Sequence, residues 1–153
     1  MNKKLIIFSG VPCSGKSTYG NYLLGNKNTI LLSRDILREK YFGDHYKYTK
    51  SNEKFISQKF DEIMDSCIEN NLIKNVILDN THCKEKYLDN LIMIYGKVFD
   101  IQIIFFEVNI YKAHFRIVMR FIKTGKWIPC SVLNTMYKNF NKINKNKYKN
   151  LLD

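Results

Sequence analysis

The sequence predicts an α/β fold: a parallel central sheet with helices on both faces. Two observations carry this. Short apolar runs alternate with longer segments of helical period along the whole chain. A glycine-rich turn, "GVPCSGKST" at 10–18, falls directly between the first run and the first helical segment.

The four strands are expected at "KLIIFS" (4–9), "TILLS" (29–33), "NVILDN" (75–80) and "IQIIFFEV" (101–108). Helices are expected over 16–25, 35–42, 52–70, 84–96, 110–123 and 131–140. The opening "MNKKLIIFSG" starts with basic residues as a signal peptide does, but its apolar run, Leu5 to Phe8, is too short for a signal h-region or a membrane span. It reads as the first strand of a protein that does not enter a membrane. "GDHYKYTKS" is a polar, aromatic connection between two helices. The spacing divides the chain into one domain over 1–140 and a basic Asn/Lys-rich tail over 141–153, "NKINKNKYKNLLD". That composition suits a frayed helix end or a mobile segment.

With 153 residues, 45% of them hydrophobic, the chain has material for one core. Its net charge of +11 points to a polyanionic partner, nucleic acid first, with a membrane surface or solubility alone as the alternatives. The cysteines, Cys13, Cys67, Cys83 and Cys130, are scattered and form no C-x-x-C pair. Neither a zinc site nor a disulfide framework is expected, which fits a reducing cytoplasm.

The turn at 10–18 has the spacing G-x-x-x-x-G-K-[ST] of a phosphate-binding loop, with the strand before it and the helix after it that such a loop requires. Gly10 and Gly15 permit close backbone approach, so that N–H groups face phosphate oxygens. Lys16 brings a positive charge to the β- and γ-phosphates, and the Ser17 hydroxyl can ligate Mg2+. The expected nucleotide-binding set is Gly10, Ser14, Gly15, Lys16, Ser17 and Thr18. Asp79, ending the third apolar run, stands where a carboxylate supports Mg2+ or its water shell. Asn80, Thr81 and His82 follow it, and an ordinary loop histidine accounts for His82 as well as a chemical role does.

"SRDILREK" puts Asp35 and Arg38 three residues apart at a helix start, hence on one face. In an open α/β sheet that end of the strand borders the ligand crevice. Asp35 can take the proton of an attacking hydroxyl, and Arg38 can hold an acceptor phosphate. A helix cap and a solvated arginine would explain the same residues. Farther on, Arg116 and Arg120 share a helix face, followed by Lys123 and Lys126. Arg120 is the expected contact to the migrating phosphoryl group, with Lys123 in reserve as a nucleotide contact.

Together, "GVPCSGKST", "SRDILREK", "YKYTK", "ILDNTH" and "IPCSVLNTMYKNF" resemble the kinase domain of the 5′-hydroxyl polynucleotide kinases, phage-type and animal, over residues 4 to about 140. The resemblance implies a P-loop kinase fold and transfer of the γ-phosphate of ATP to the 5′-hydroxyl of DNA or RNA, with a nucleic acid ligase as a functional partner in repair. It implies Asp35 as general base, Arg38 as the contact to the acceptor's phosphate, and Lys16 and Ser17 as the phosphate and magnesium residues. The sequence lacks the D-x-D motif of the family's phosphatase domain, so kinase activity alone is expected. It also lacks the arginines that the phage-type pattern carries before the "VP" matching Ile128 and Pro129; "MRF" at 119–121 resembles the animal pattern instead. Two other readings remain at this point: a small-molecule or nucleoside monophosphate kinase, and a non-catalytic ATP-dependent nucleic-acid binder.

Overall fold

The computed structural model describes residues 3–25 and 28–152. Four parallel strands form one sheet, β1 (Lys3–Ser9), β2 (Thr29–Leu32), β3 (Asn75–Leu78) and β4 (Phe99–Phe105), in the order β2-β3-β1-β4. Parallel neighbours cannot be joined by hairpins, so each crossover carries helix: α1 (Lys16–Leu23), then α2 (Arg34–Phe42) with α3 (Lys50–Glu69), then α4 (Glu85–Tyr95). After β4 come α5 (Ile110–Thr124) and α6 (Cys130–Asn141). The architecture is the P-loop kinase α/β fold that the sequence predicts. From β1 the chain travels to the far edge at β2, and from β3 it crosses to β4. Adjacent strands β1 and β3 therefore send their connections in opposite directions, which opens a crevice beyond their carboxyl ends.

The core follows the expected apolar periods. Leu5, Ile7, Val76, Leu78 and Ile103 are buried in the sheet. Ile56, Phe60, Met64 and Cys67 form the inward stripe of α3 at helical spacing. Lys3 closes the other end of that helix, its Nζ donating to the carbonyls of Cys67 at 2.8 Å and Asn70 at 3.0 Å, where a cation offsets the helix dipole.

Boundaries moved where caps decide them. Ser33 is not strand but the N-cap of α2, its Oγ accepting from the Asp35 N–H at 3.3 Å. Thr49 caps α3 by accepting from the Asn52 N–H, so that helix starts at Lys50 rather than 52. β4 is displaced toward Phe99 and ends before Phe106, because pairing with β1 runs only from Lys3–Phe99 to Ser9–Phe105.

The segment after Asn141 does not behave as a frayed end. Ile143 and Tyr148 join the core, and Lys145–Leu151 forms a 3-10 helix. Tyr148 is 2% exposed and its hydroxyl donates to Asp89 Oδ1 at 2.8 Å. Lys147 pairs with Asp89 at 2.7 Å and Glu85 at 3.1 Å, and Lys145 pairs with Glu107. Leu152 bridges to Ile103 and covers part of the exposed flank of β4. Ile143, Tyr148 and Leu151, spaced through an Asn/Lys background, pack on the core, which bulk composition obscures. Replacing Tyr148 with Ala should lower stability by about 3 kcal/mol, read as a reduced urea midpoint. An unchanged midpoint would show that this docking contributes nothing.

Candidate active site

A cleft of about 1430 Å³ lies at the carboxyl edge of the sheet. Its floor is the loop between β1 and α1. Gly10 has no room for a side chain: a Cβ would sit 2.9 Å from the Phe106 carbonyl and 2.9 Å from Ser14 Oγ. Gly15, at φ 105°, makes the left-handed turn into α1 that an L side chain rarely adopts. Lys16, the first residue of α1, is buried. Its Nζ donates to the carbonyls of Gly10 at 2.9 Å and Val11 at 2.7 Å. Burial lowers its pKa, and the nearby Asp79 carboxylate is the main charge opposing that shift. Ser17 and Thr18 are exposed on the first turn of α1 and line the cleft. Asp79 is 8% exposed at the end of β3, beside the loop. Ser17 and Asp79 thus offer hard oxygen donors at one cleft, a set that suits Mg2+, which keeps most of its ligands as phosphate and water.

The opposite wall belongs to α2, with α3 packed behind it. Asp35 Oδ1 accepts from Arg38 Nη1 at 2.6 Å, yet the carboxylate remains 73% exposed to the cleft. Glu53 of α3 grips Arg38 bidentately, Nε to Oε1 at 2.9 Å and Nη2 to Oε2 at 2.9 Å. The same carboxylate accepts from Arg34 Nη2 at 2.9 Å and from the Tyr46 hydroxyl. These bonds, Arg38's first, outweigh burial and hold the Glu53 carboxyl at about 2. Burial works against the Arg38 cation, but Glu53 and Asp35 more than compensate and raise its pKa. A guanidinium has five N–H donors; with three committed here, two are left for a ligand.

The third wall is the end of α5 and the start of α6. Arg120 lines the cleft, as do Lys126, Ile128 and Pro129, whereas Lys123 is exposed in the last turn of α5 and is not among the lining residues. Lys126, outside the set expected from sequence to touch the nucleotide, takes the lining position and pairs with Glu39 at 3.3 Å. Arg116 faces the phosphate loop, Nη1 donating to the Cys13 carbonyl at 3.0 Å.

Asn80 and Thr81 line the cleft; His82 does not. Its Nδ1 donates to the Phe8 carbonyl at 2.8 Å, and burial holds the imidazole at about 4, so it is neutral near pH 7 and structural. The residue that sequence reasoning missed is Glu53. Its one signal is a single acidic residue in the basic run "KYTKSNEK", facing two arginines of the preceding helix.

A family model described as an AAA domain matches residues 5–143. The chain belongs to that family. Among curated relatives, dephospho-CoA kinase of Prochlorococcus marinus is 35% identical over 94 residues, 60% of this chain and 45% of its own length. L-seryl-tRNA(Sec) kinase of Methanococcus maripaludis is 31% identical over 143 residues, 89% of this chain and 52% of its own. The chain spans about half the length of these curated relatives. A chain in the structure of the Pnkp1/Rnl/Hen1 RNA repair complex superposes with a TM-score of 0.78 at 26% identity, covering 95% of this chain and 46% of that one. The relatives are kinases, and the fold is theirs. Among the described residues, no helix is long and apolar enough to cross a membrane.

Glu53→Gln should cost on the order of 1 kcal/mol at neutral pH, since the pair is partly screened. The native pKa, about 2, lies below the ordinary 4.5, so the ionised carboxylate stabilises the fold fully above 4.5. The difference between wild type and variant should therefore hold from neutral pH to about 4.5 and shrink as pH falls toward 2. Urea titrations across that range measure it.

Proposed function

We propose that the chain is an ATP-dependent polynucleotide kinase that transfers the γ-phosphate to the 5′-hydroxyl of a DNA or RNA end. The observation that carries this reading is the wall facing the phosphate loop, where an exposed carboxylate, Asp35, is paired to an arginine, Arg38, that Glu53 holds in place with two N–H donors free. A carboxylate to receive the hydroxyl proton beside a fixed cation for a neighbouring phosphate suits an acceptor that carries both groups. The net charge of +11 and the relative found in an RNA repair complex support a nucleic acid acceptor and a nucleic acid ligase as the enzyme that uses the product.

In this mechanism the loop amides and Lys16 hold the β- and γ-phosphates, with Gly10, Ser14, Gly15 and Thr18 shaping the cradle. Ser17 and Asp79 would hold Mg2+, which when bound offsets charge on the transferring phosphoryl group. Asp35 takes the proton from the 5′-hydroxyl as it attacks in line. Arg38 holds the acceptor phosphate and keeps that hydroxyl in reach. Arg120 faces the migrating group, with Lys126 rather than Lys123 as the second cation on that wall.

The test offers labelled ATP and Mg2+ with 5′-hydroxyl DNA, 5′-hydroxyl RNA, nucleoside monophosphates and dephospho-CoA in parallel. Label on an oligonucleotide end supports the proposal; label only on a small molecule overturns it in favour of a small-molecule kinase, and label on none favours an ATP-dependent binder. Asp35→Asn should lower kcat at least about 100-fold with ATP affinity retained, and Lys16→Ala should abolish transfer. Transfer by Asp35→Asn within a few-fold of wild type would remove the general base from this scheme.

A further inference from the structure

The segment between the 3-10 turn at Gly43–His45 and α3 contributes more than a connection. Tyr48 is 77% exposed and lines the cleft on the Arg38 side. An aromatic ring left that open gains little for the fold. It is nevertheless held: its centroid lies 5.1 Å from the guanidinium carbon of Arg38, and the Tyr46 ring meets it edge-on at 4.9 Å and 81°. Tyr46 is tied in turn to Glu53 through its hydroxyl, and Thr49 fixes the backbone beyond by capping α3. The same carboxylate therefore orients both the cation and, through Tyr46, the ring. A pre-positioned ring loses little side-chain freedom on binding a planar partner.

We infer that Tyr48 is a nucleobase-stacking subsite for the acceptor, taking the base next to the phosphate held by Arg38. This rests on the acceptor reading proposed above. The cation and the ring are one contact apart, so a phosphate on one and a base on the other belong to the same nucleotide or to neighbours. Stacking tolerates any base, because every base presents a π-face, so the subsite favours nucleic acid over a non-aromatic acceptor without imposing sequence preference. The ring differs from the groups that act on the phosphoryl transfer: its effect falls on acceptor binding.

The experiment uses the full chain as wild type, Tyr48→Ala and Tyr48→Phe. Each is assayed on a 5′-hydroxyl oligonucleotide and on versions abasic at the first or at the second position, with acceptor KM, ATP KM and kcat measured separately. Tyr48→Ala should raise acceptor KM about tenfold on the intact strand with ATP KM unchanged, and Tyr48→Phe should restore it. On one of the two abasic strands the wild type should show the same tenfold loss, and Tyr48→Ala should add nothing further. Binding of a strand with 2-aminopurine at that position gives a second readout: its fluorescence should be quenched by wild type and Tyr48→Phe and not by Tyr48→Ala. Losses that add independently on both abasic strands, or a Tyr48→Ala protein equal to wild type, would overturn the inference and point to a protein-contact role for the ring. If wild type labels no oligonucleotide, the acceptor reading fails, while the fluorescence quench still decides whether Tyr48 stacks on a base.

Discussion

The pairing of β1 with β3 sets the position of everything chemical in this molecule. Lys4 lies opposite Asn75 and Ile7 opposite Leu78, so the carboxyl ends of the two strands lie side by side, one running on through Ser9 into the phosphate loop and the other into Asp79. The pairing continues past the last ladder rung. The Gly10 N–H donates to the Thr81 carbonyl at 2.9 Å, Ser9 Oγ donates to the His82 carbonyl at 2.9 Å, and His82 returns a bond to Phe8. Backbone that would otherwise be loose at a strand end is stitched down on both sides of the crevice. A one-residue slip would reverse the faces of Leu5 and Ile7 and separate Asp79 from Lys16.

The wall that carries Asp35 and Arg38 is built on different principles. Beyond one bond from the Arg34 N–H to Asn80 Oδ1 at 3.0 Å, it stands on α2 and α3 packed together and on one carboxylate shared among two arginines and a tyrosine. Charges at this depth are tolerable because each is bonded to its opposite, and removing the shared partner would leave two cations side by side. The arrangement orients Arg38 while leaving Asp35 open to the cleft, so the two members of the pair have unlike environments.

Much of this was legible in the sequence, for physical reasons. The four strands are apolar runs of the right length between polar turns, and the phosphate loop is a local motif whose eight positions carry their own geometry. Asp35 and Arg38 were legible because helical spacing places them together. Glu53 was not, since its two arginine partners are 15 and 19 residues away and meet it only after α2 and α3 fold against each other. Lys123 and Lys126 differ by less than a helical turn, and their relation to the cleft turns on the left-handed C-cap at Gly125, where φ is 68°. The closing segment was misjudged because Lys and Asn dominate its composition, although Lys147 and Lys145 are occupied by acidic residues of the domain itself.

The bond from Arg116 to the Cys13 carbonyl gives α5 the mechanics of a cantilever. Its root is clamped, with Ala113 and Ile117 in the core, while Phe121, Ile122, Lys123 and Thr124 stand in solvent at its outer end. The deflection of such a beam grows with distance from the clamp. Arg120 sits one turn from Arg116, about 6 Å along the axis, and is carried almost rigidly with the phosphate loop. Lys126 and Trp127, past the glycine joint, lie farthest from the clamp, and the Lys126–Glu39 pair at 3.3 Å props that outer end against α2 across the mouth of the cleft.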